Sequence, residues 1–400
     1  MKYCRDRVKV LFVSHSSAMY GAERSLLLLL KNIDRKYIEP IVALPEPGPL
    51  EEEITKLNIK VWEVRSPWWV RDKVDVRSTI RCVISEVKAL WKLISTLRRE
   101  KVDLVYTNTI VKFTGALAAA INRKPHIWHI REILQGNPGL HSLLPHKVLF
   151  KLIVSLSNKV ITNSNATGRQ FQCLDHHNKV QVVYNAVDSE AFAVPSSFPG
   201  IEGAAQGDWL VAVVAPIQEN KAQDVAIRAV EIARKAIPNI KLLLIGEADG
   251  VYLEYLRRTA SELNVLDEVV FAGYRDDVAK VLPYCKVLLS PSLVESFGRT
   301  IMEAMAAGIP VIGADTGGRK EIIKDGSTGY LVPANDHSEM ARKIIELFRH
   351  PDKVTMMGER GREVAAEKFT VERYAQDITR VITEVMQMSC GGQIAAYQDQ

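Results

Sequence analysis

Short β-branched runs alternate with longer amphipathic stretches along nearly the whole chain, and no other feature limits the possible folds as tightly. In the first half, residues 8–13, 40–44, 60–64, 104–107, 126–129 and 160–163 read as buried strands, with helices at 22–31, 50–57, 77–99 and 111–121. In the second half the strands are 209–215, 240–245, 269–272, 287–290 and 311–313, with helices at 222–236, 251–263, 278–284 and 300–307. Strand–helix alternation with near-continuous apolar strands predicts α/β units whose parallel sheets are covered on both faces. A chain of 400 residues exceeds one ordinary core. The alternation breaks once, in the Pro-, Gly-, Ser- and Ala-rich stretch 192–208. Two units follow: residues 1–190 and 209–370, joined by a linker at 191–208, then an amphipathic helix over 371–388 and a flexible tail at 389–400. Ligands bind such sheets outside the carboxyl ends of the strands, so two facing sheets place a substrate site in the cleft between them.

No stretch approaches the roughly 18 consecutive apolar residues of a membrane-spanning helix, and the apolar run 8–13 is too short for a signal-peptide core. Five scattered cysteines, none in a CxxC pair, read as unpaired thiols of a reducing compartment, so the expected location is cytoplasmic. The net charge of +5 hides an asymmetry. Through Pro195 there are 29 Lys+Arg against 18 Asp+Glu, and beyond it 23 against 29. The excess is densest over residues 65–101, with ten basic and four acidic side chains, which suits an anionic partner, a solvated face being the commoner reading of such an excess.

The segment SPSLVESFGRTIMEAMAA, residues 290–307, is the most informative. A strand runs into a turn holding Glu295, and a helix starts near Gly298–Thr300 with Glu303 in its first turns. Gly298 lets a ligand approach the backbone, and the amides of Arg299 and Thr300 leave the helix N-terminus as a ready anion site suited to a diphosphate. Two flanking carboxylates can accept hydrogen bonds from sugar hydroxyls; alone, they also read as acids favoured by the helix dipole.

The turn Glu295-Ser296-Phe297-Gly298, with a second glutamate eight residues after the first, resembles the signature of retaining glycosyltransferase family 4, a GT-B-fold group. Similar motifs run in the same order: Tyr20-Gly21-Ala22-Glu23, Asn185-Ala186-Val187-Asp188, Gly246-Glu247, Thr316-Gly317-Gly318 with Glu321, and the stretch 325–333. The resemblance covers residues 8–369 and is strongest over 271–333. It implies two Rossmann-like domains facing across a cleft, the first for the acceptor and the second for the nucleotide sugar, with the last helix crossing back to the first.

On that resemblance Glu303 holds ribose hydroxyls, Glu295 contacts the donor sugar, and Lys221 neutralises the donor diphosphate. Gly21 approaches the same phosphates, and Tyr274 lies where the nucleobase is cradled. Phe297, Gly298, Arg299 and Thr300 complete the donor set, and His129 matches a histidine near the sugar, although a lone histidine also reads as a core residue. The catalytic set is then Glu295, His129 and Lys221. Two positions depart from the family: Pro216 stands where it usually has an arginine, and Ala222 where it has a glycine after the lysine. Either another base such as Arg299 or Arg319 substitutes, or the donor binds more weakly.

The implied reaction moves a sugar from a nucleoside-diphosphate sugar to an acceptor hydroxyl with retention of configuration, without cofactor or metal. No Asp-x-Asp triplet occurs, and Asp175-His176-His177 reads as a polar turn rather than as metal ligands. The acceptor is expected to be a cell-envelope, polysaccharide or lipid-linked saccharide. Pro67-Trp68-Trp69-Val70 and the basic helix after it, with Ile80, Val83, Ile84, Val87, Leu90, Trp91 and Ile94, suit an acidic inner membrane face, and equally read as core. No nucleic-acid motif is present. The alternatives are a noncatalytic nucleotide-binding protein of the same scaffold and a nucleotide-sugar epimerase.

Overall fold

The structure, a computed structural model, describes residues 7–398 apart from 67–69, 72–75, 138–139, 143, 176–177 and 249, and the side chains of 70–71, 76–83 and 390–398 are not described. Trp68, Trp69, His176 and His177 therefore lie outside the described residues. The chain divides into two compact units, Met1–Asn185 with Val371–Gln400, and Ala186–Thr370.

In the first unit β1 (Val8–Val13), β2 (Ile38–Leu44), β3 (Lys60–Glu63), β5 (Leu104–Asn108), β6 (His126–Ile130), β8 (Lys159–Thr162) and β9 (Val180–Val182) form one parallel sheet in the order β3-β2-β1-β5-β6-β8-β9. The short strands β4 (Val70–Arg71) and β7 (His141–Ser142) pair antiparallel as a separate two-stranded sheet. The helices are α1 (Gly21–Asn32), α2 (Pro49–Lys56), α3 (Val76–Arg99), α4 (Thr114–Ile121), α5 (His146–Leu156) and α6 (Asn165–Gly168). The second unit holds β10 (Trp209–Val214), β11 (Ile240–Ile245), β12 (Val269–Gly273), β13 (Val287–Ser290), β14 (Val311–Ala314) and β15 (Gly329–Val332), ordered β12-β11-β10-β13-β14-β15 and all parallel. Its helices are α7 (Gln223–Ala233), α8 (Gly250–Glu262), α9 (Val278–Val281), α10 (Arg299–Ala307), α11 (Arg319–Ile322), α12 (His337–Arg349) and α13 (Pro351–Lys368). The last helix, α14 (Val371–Gln398), belongs to the first unit.

The central strands are apolar without alternation because helices cover both faces: Val10, Leu11, Phe12, Leu242 and Leu243 are wholly buried. The stretch 192–208 is pinned to the second unit, since the Tyr284 hydroxyl donates to the Pro195 carbonyl at 2.9 Å and the Phe198 and Tyr284 rings meet edge-on at 5.3 Å. Helix α14 runs on through Gly391 and Gly392 to Gln398, past the end expected from its periodicity. Its anchor is Tyr374, whose hydroxyl accepts from Arg131 Nη2 at 2.8 Å. The same buried guanidinium donates to Asn108 Oδ1 at 2.7 Å and Asn185 Oδ1 at 2.5 Å.

His126 is buried at the start of β6, with Nε2 at 2.8 Å from Thr107 Oγ1 and Nδ1 at 3.3 Å from Ser157 Oγ. Loss of hydration pushes its pKa down to about 3. Below pH about 6.5 the unfolded chain takes up a proton that the folded one refuses, so stability is full above that pH and falls toward pH 3. The slope for this group is about 1.4 kcal/mol per pH unit. Burial and the Arg131 charge depress His129 with the same sign. Denaturant midpoints measured between pH 7 and 4 are expected to show a shallower decline for His126→Gln than for the native chain.

Candidate active site

The second sheet reverses direction between β10 and β13, since β11 and β12 build outward on one side of β10 and β13 to β15 on the other. At such a switch point the loops after the two strands diverge and leave a crevice. Lys221 reaches it from the turn after β10, and Glu295 from the turn after β13, with Nζ and Oε2 3.5 Å apart. A backbone bond of 3.0 Å from Leu293 N–H to the Asn220 carbonyl ties the two loops. Burial by itself would raise the Glu295 carboxyl; the charges of Lys221 and Arg319 outweigh it and hold the group below the usual carboxylate range. Beside Lys221, Asn220 Oδ1 and Gln223 Oε1 are buried without a hydrogen-bond partner among the described residues. Two unmet acceptors next to a cation suit a ligand that brings hydroxyl donors.

Helix α10 opens from Gly298, whose φ of 101° lies in the left-handed region, and no side chain caps its first turn. Arg299 Nε donates to Glu303 Oε1 at 2.8 Å, holding that carboxylate beside the helix start. Phe297 is buried against Phe369, with ring centroids 5.7 Å apart. The Glu295 turn is set from behind by Thr316-Gly317-Gly318. Gly318 N–H bonds the Glu295 carbonyl at 2.9 Å, and a Cβ on Gly317 or Gly318 would lie 2.1 Å from the Glu295 oxygen or 2.3 Å from that of Ser296. Arg319 follows, wholly buried, donating to Ser290 Oγ at 3.1 Å, to the carbonyls of Ala314 and Thr316 at 3.2 and 3.1 Å, and to the Ser292 carbonyl. Tyr274 stands exposed just beyond β12, after Gly273.

Gly21 and His129 lie in the first unit. Gly21 starts α1 at an exposed position, and a Cβ there would meet nothing. His129 has no exposed surface: its ring packs between Tyr106 and Tyr374, and its Nδ1 receives Tyr106 OH at 2.5 Å and Arg131 Nη2 at 3.3 Å. That leaves the proton on Nε2, which is buried without a partner among the described residues. The first sheet has its own switch point, between β1 and β5, where Asn108 Nδ2 donates to the Ala22 carbonyl at 3.3 Å. Thr109, just past β5, is buried with φ 96° and an unmet Oγ1. Nothing in the sequence pattern signalled it. His15 and Glu23 form a pair at 3.0 Å on the same edge, also unanticipated.

Two family descriptions cover most of the chain: residues 19–191 match "Glycosyltransferase Family 4" and residues 197–364 match "Glycosyl transferases group 1". The chain belongs to the group 1 glycosyl transferases of family 4. N-acetyl-alpha-D-glucosaminyl L-malate synthase of Bacillus anthracis is 27% identical over 266 residues, 66% of this chain and 67% of that one. D-inositol 3-phosphate glycosyltransferase of Mycobacterium sp. (strain JLS) is 31% identical over 210 residues, 49% of this chain and 46% of that protein, so this match spans under half of the relative. Among solved structures, Anabaena Alr3699/HepE in complex with UDP superposes with a TM-score of 0.78 at 23% identity, covering 94% of this chain and all of the other. The fold is GT-B: two Rossmann-like parallel-sheet units of seven and six strands.

As a group 1 glycosyl transferase the chain lacks an arginine at Pro216, and the two candidate replacements differ in availability. Arg319 is sealed among protein acceptors, whereas the Arg299 side chain is a quarter exposed and, among the described residues, only its Nε is engaged, with Glu303. The glycine pair after Thr316 is the most easily tested support of the site. Gly317→Ala is expected to cost more than about 2 kcal/mol in chemical denaturation, because φ 61° and the Glu295 carbonyl oppose a side chain together.

Proposed function

We propose that this glycosyl transferase moves a sugar from a nucleoside-diphosphate sugar to an acceptor hydroxyl with retention of configuration. The observation carrying this reading is the meeting of Lys221 with an ionised Glu295 at the switch point, beside the uncapped start of α10. Lys221 and the α10 amides face the diphosphate and stabilise the charge that grows on it as the bond from sugar C1 to phosphate oxygen breaks. The acceptor oxygen bonds to C1 on the same face, and its proton passes to the departing diphosphate. No protein nucleophile is then needed, and the positive charge comes from the chain, so no metal is required. Glu295 accepts hydrogen bonds from sugar hydroxyls and favours positive charge at C1. Glu303 takes the ribose hydroxyls, Arg299 supplies the second phosphate cation in place of the residue missing at Pro216, and the backbone around Gly273 and Tyr274 borders the base. His129, having no exposed surface, positions its neighbours rather than touching the sugar. Solved relatives hold UDP and UDP-glucose, which supports a nucleotide-sugar donor.

A thermal-shift panel of UDP-, GDP-, ADP- and dTDP-sugars is expected to single out one donor, and Glu303→Ala to abolish its shift. Arg299→Ala should weaken the nucleoside diphosphate by about tenfold, roughly one charged hydrogen bond, and the nucleoside by less, through the Glu303 carboxylate that Arg299 steadies. Product NMR showing an inverted anomer, or folded protein that answers to no nucleotide, would sink the proposal.

We further propose that the first unit takes a lipid-linked or envelope saccharide while resting on an anionic inner membrane face. Among the described residues no helix is long and apolar enough to cross a membrane. Helix α3 presents Ile84, Val87 and Trp91 outward, 53%, 48% and 67% exposed, while Ala89, Leu93, Ile94 and Leu97 face the core. Lys88, Lys92, Arg98 and Arg99 share the outward face, which carries no acid between residues 84 and 99. Apolar side chains flanked by cations fit an anionic bilayer surface. Cosedimentation with phosphatidylglycerol vesicles is expected for the native chain and should fall about tenfold or more for Ile84→Ser/Trp91→Ser, which removes two inserted apolar groups.

A further inference from the structure

Four basic side chains meet at the edge of the first sheet opposite the strand ends that carry Gly21 and Arg131. Arg98 and Lys101 close α3, Arg123 and Lys124 follow α4, and with Ile121 and Asp103 they border a groove of about 530 Å³. Among the described residues none of the four cations forms an ion pair. The Asp103 carboxylate already accepts the Lys9 N–H at 3.0 Å, and Arg98 is steadied by Asn122 Oδ1 at 3.0 Å.

The backbone at two of these cations is unusual. Lys101 and Arg123 have φ of 54° and 52°, each just past a helix end. Val102 N–H returns to the Leu97 carbonyl at 3.0 Å, and Lys124 N–H to the Ala119 carbonyl at 2.9 Å, the turn in which glycine is usual. A side chain in that conformation costs stability relative to glycine. The chain accepts the cost twice, each time with a cation and on the same groove. Attraction to the helix C-terminus explains a cation in the last turn, which Arg98 and Arg99 already supply to α3. It does not explain a preference for the left-handed position. Arg98 also lies seven residues after Trp91, on the outward face of α3, so groove and face are continuous.

We propose that this groove seats the phosphate of an anionic phospholipid headgroup at the far end of the face by which α3 lies on the membrane. The proposal rests on the membrane reading above, and its test separates the two. Lys101→Gly/Arg123→Gly puts the residue the backbone favours at both positions, so the denaturation midpoint is expected to hold or rise. Its affinity for vesicles of about one-third phosphatidylglycerol in phosphatidylcholine should fall about thirty-fold, the effect of two cations at an anionic surface. Arg98→Ala/Lys124→Ala should move affinity the same way, and pure phosphatidylcholine should bind no form. Unchanged vesicle affinity in the glycine variant, with the native chain bound and Ile84→Ser/Trp91→Ser released, overturns the groove and leaves the membrane reading standing. A native chain that binds no anionic vesicle overturns both. Inorganic phosphate that saturates the groove while vesicle binding ignores all four substitutions marks a free-phosphate site and also overturns the lipid assignment.

Discussion

Arg319 spends its guanidinium on the Ser290 hydroxyl and on the carbonyls of Ser292, Ala314 and Thr316, all at the ends of β13 and β14 or in the turns just past them. A buried cation left unmet costs several kcal/mol, so these strand ends are drawn to one spacing. That spacing lets Gly317 and Gly318 press on the backbone of Glu295 and Ser296. The turn is thereby aimed across the switch point at Lys221. Because the acceptors are neutral, the Arg319 charge is not cancelled locally; it acts on Glu295 and helps keep it ionised.

The first unit repeats the device. Arg131 is buried just past β6 and donates to Asn108, Asn185 and Tyr374, again neutral groups. Among the described residues no carboxylate pairs directly with either arginine. Each sheet thus carries a buried positive charge, hydrogen-bonded to neutral groups, at the carboxyl ends of its strands, where low dielectric strengthens its reach. In the first unit the same arginine fixes α14 through Tyr374 and the end of the unit through Asn185. It also depresses His129, which stays neutral.

The strands were legible because burial on both faces leaves an unbroken apolar run, and runs such as 8–13 and 240–245 have no competing helical reading. Helices α5, α12 and α13 and strands β9 and β15 were not read as elements; α13 holds Gly358 and Gly361 in its interior, which blurs its apolar period. The places of Lys221 and Glu295 in the turns after β10 and β13, and of Glu303 in α10, are legible because motif order fixes which strand each follows. For His129 the end of a strand is visible in sequence, but that its ring is buried between Tyr106 and Tyr374 of α14 is a tertiary fact. The apolar residues of α3 read equally as core and as surface for the same reason. Packing decides that Ile94 turns in and Ile84 turns out.

Backbone strain gives a further view of where function lies. Eight described residues other than glycine have positive φ, and four of them are asparagines, which tolerate that region. The other four are Lys101, Thr109, Arg123 and Ala222. Thr109 lies at the switch point of the first sheet, and Ala222 follows Lys221 at that of the second. For a β-branched threonine the conformation is a true outlier, held by the Thr109 N–H bond to the His129 carbonyl at 2.8 Å and the Trp128 Nε1 bond to its own carbonyl at 2.7 Å. Strain of this kind persists only where surrounding structure over-determines it, and it collects at sites under demands other than stability. By that criterion the two sheet crevices and the basic groove on the opposite edge of the first sheet belong to one class among the described residues.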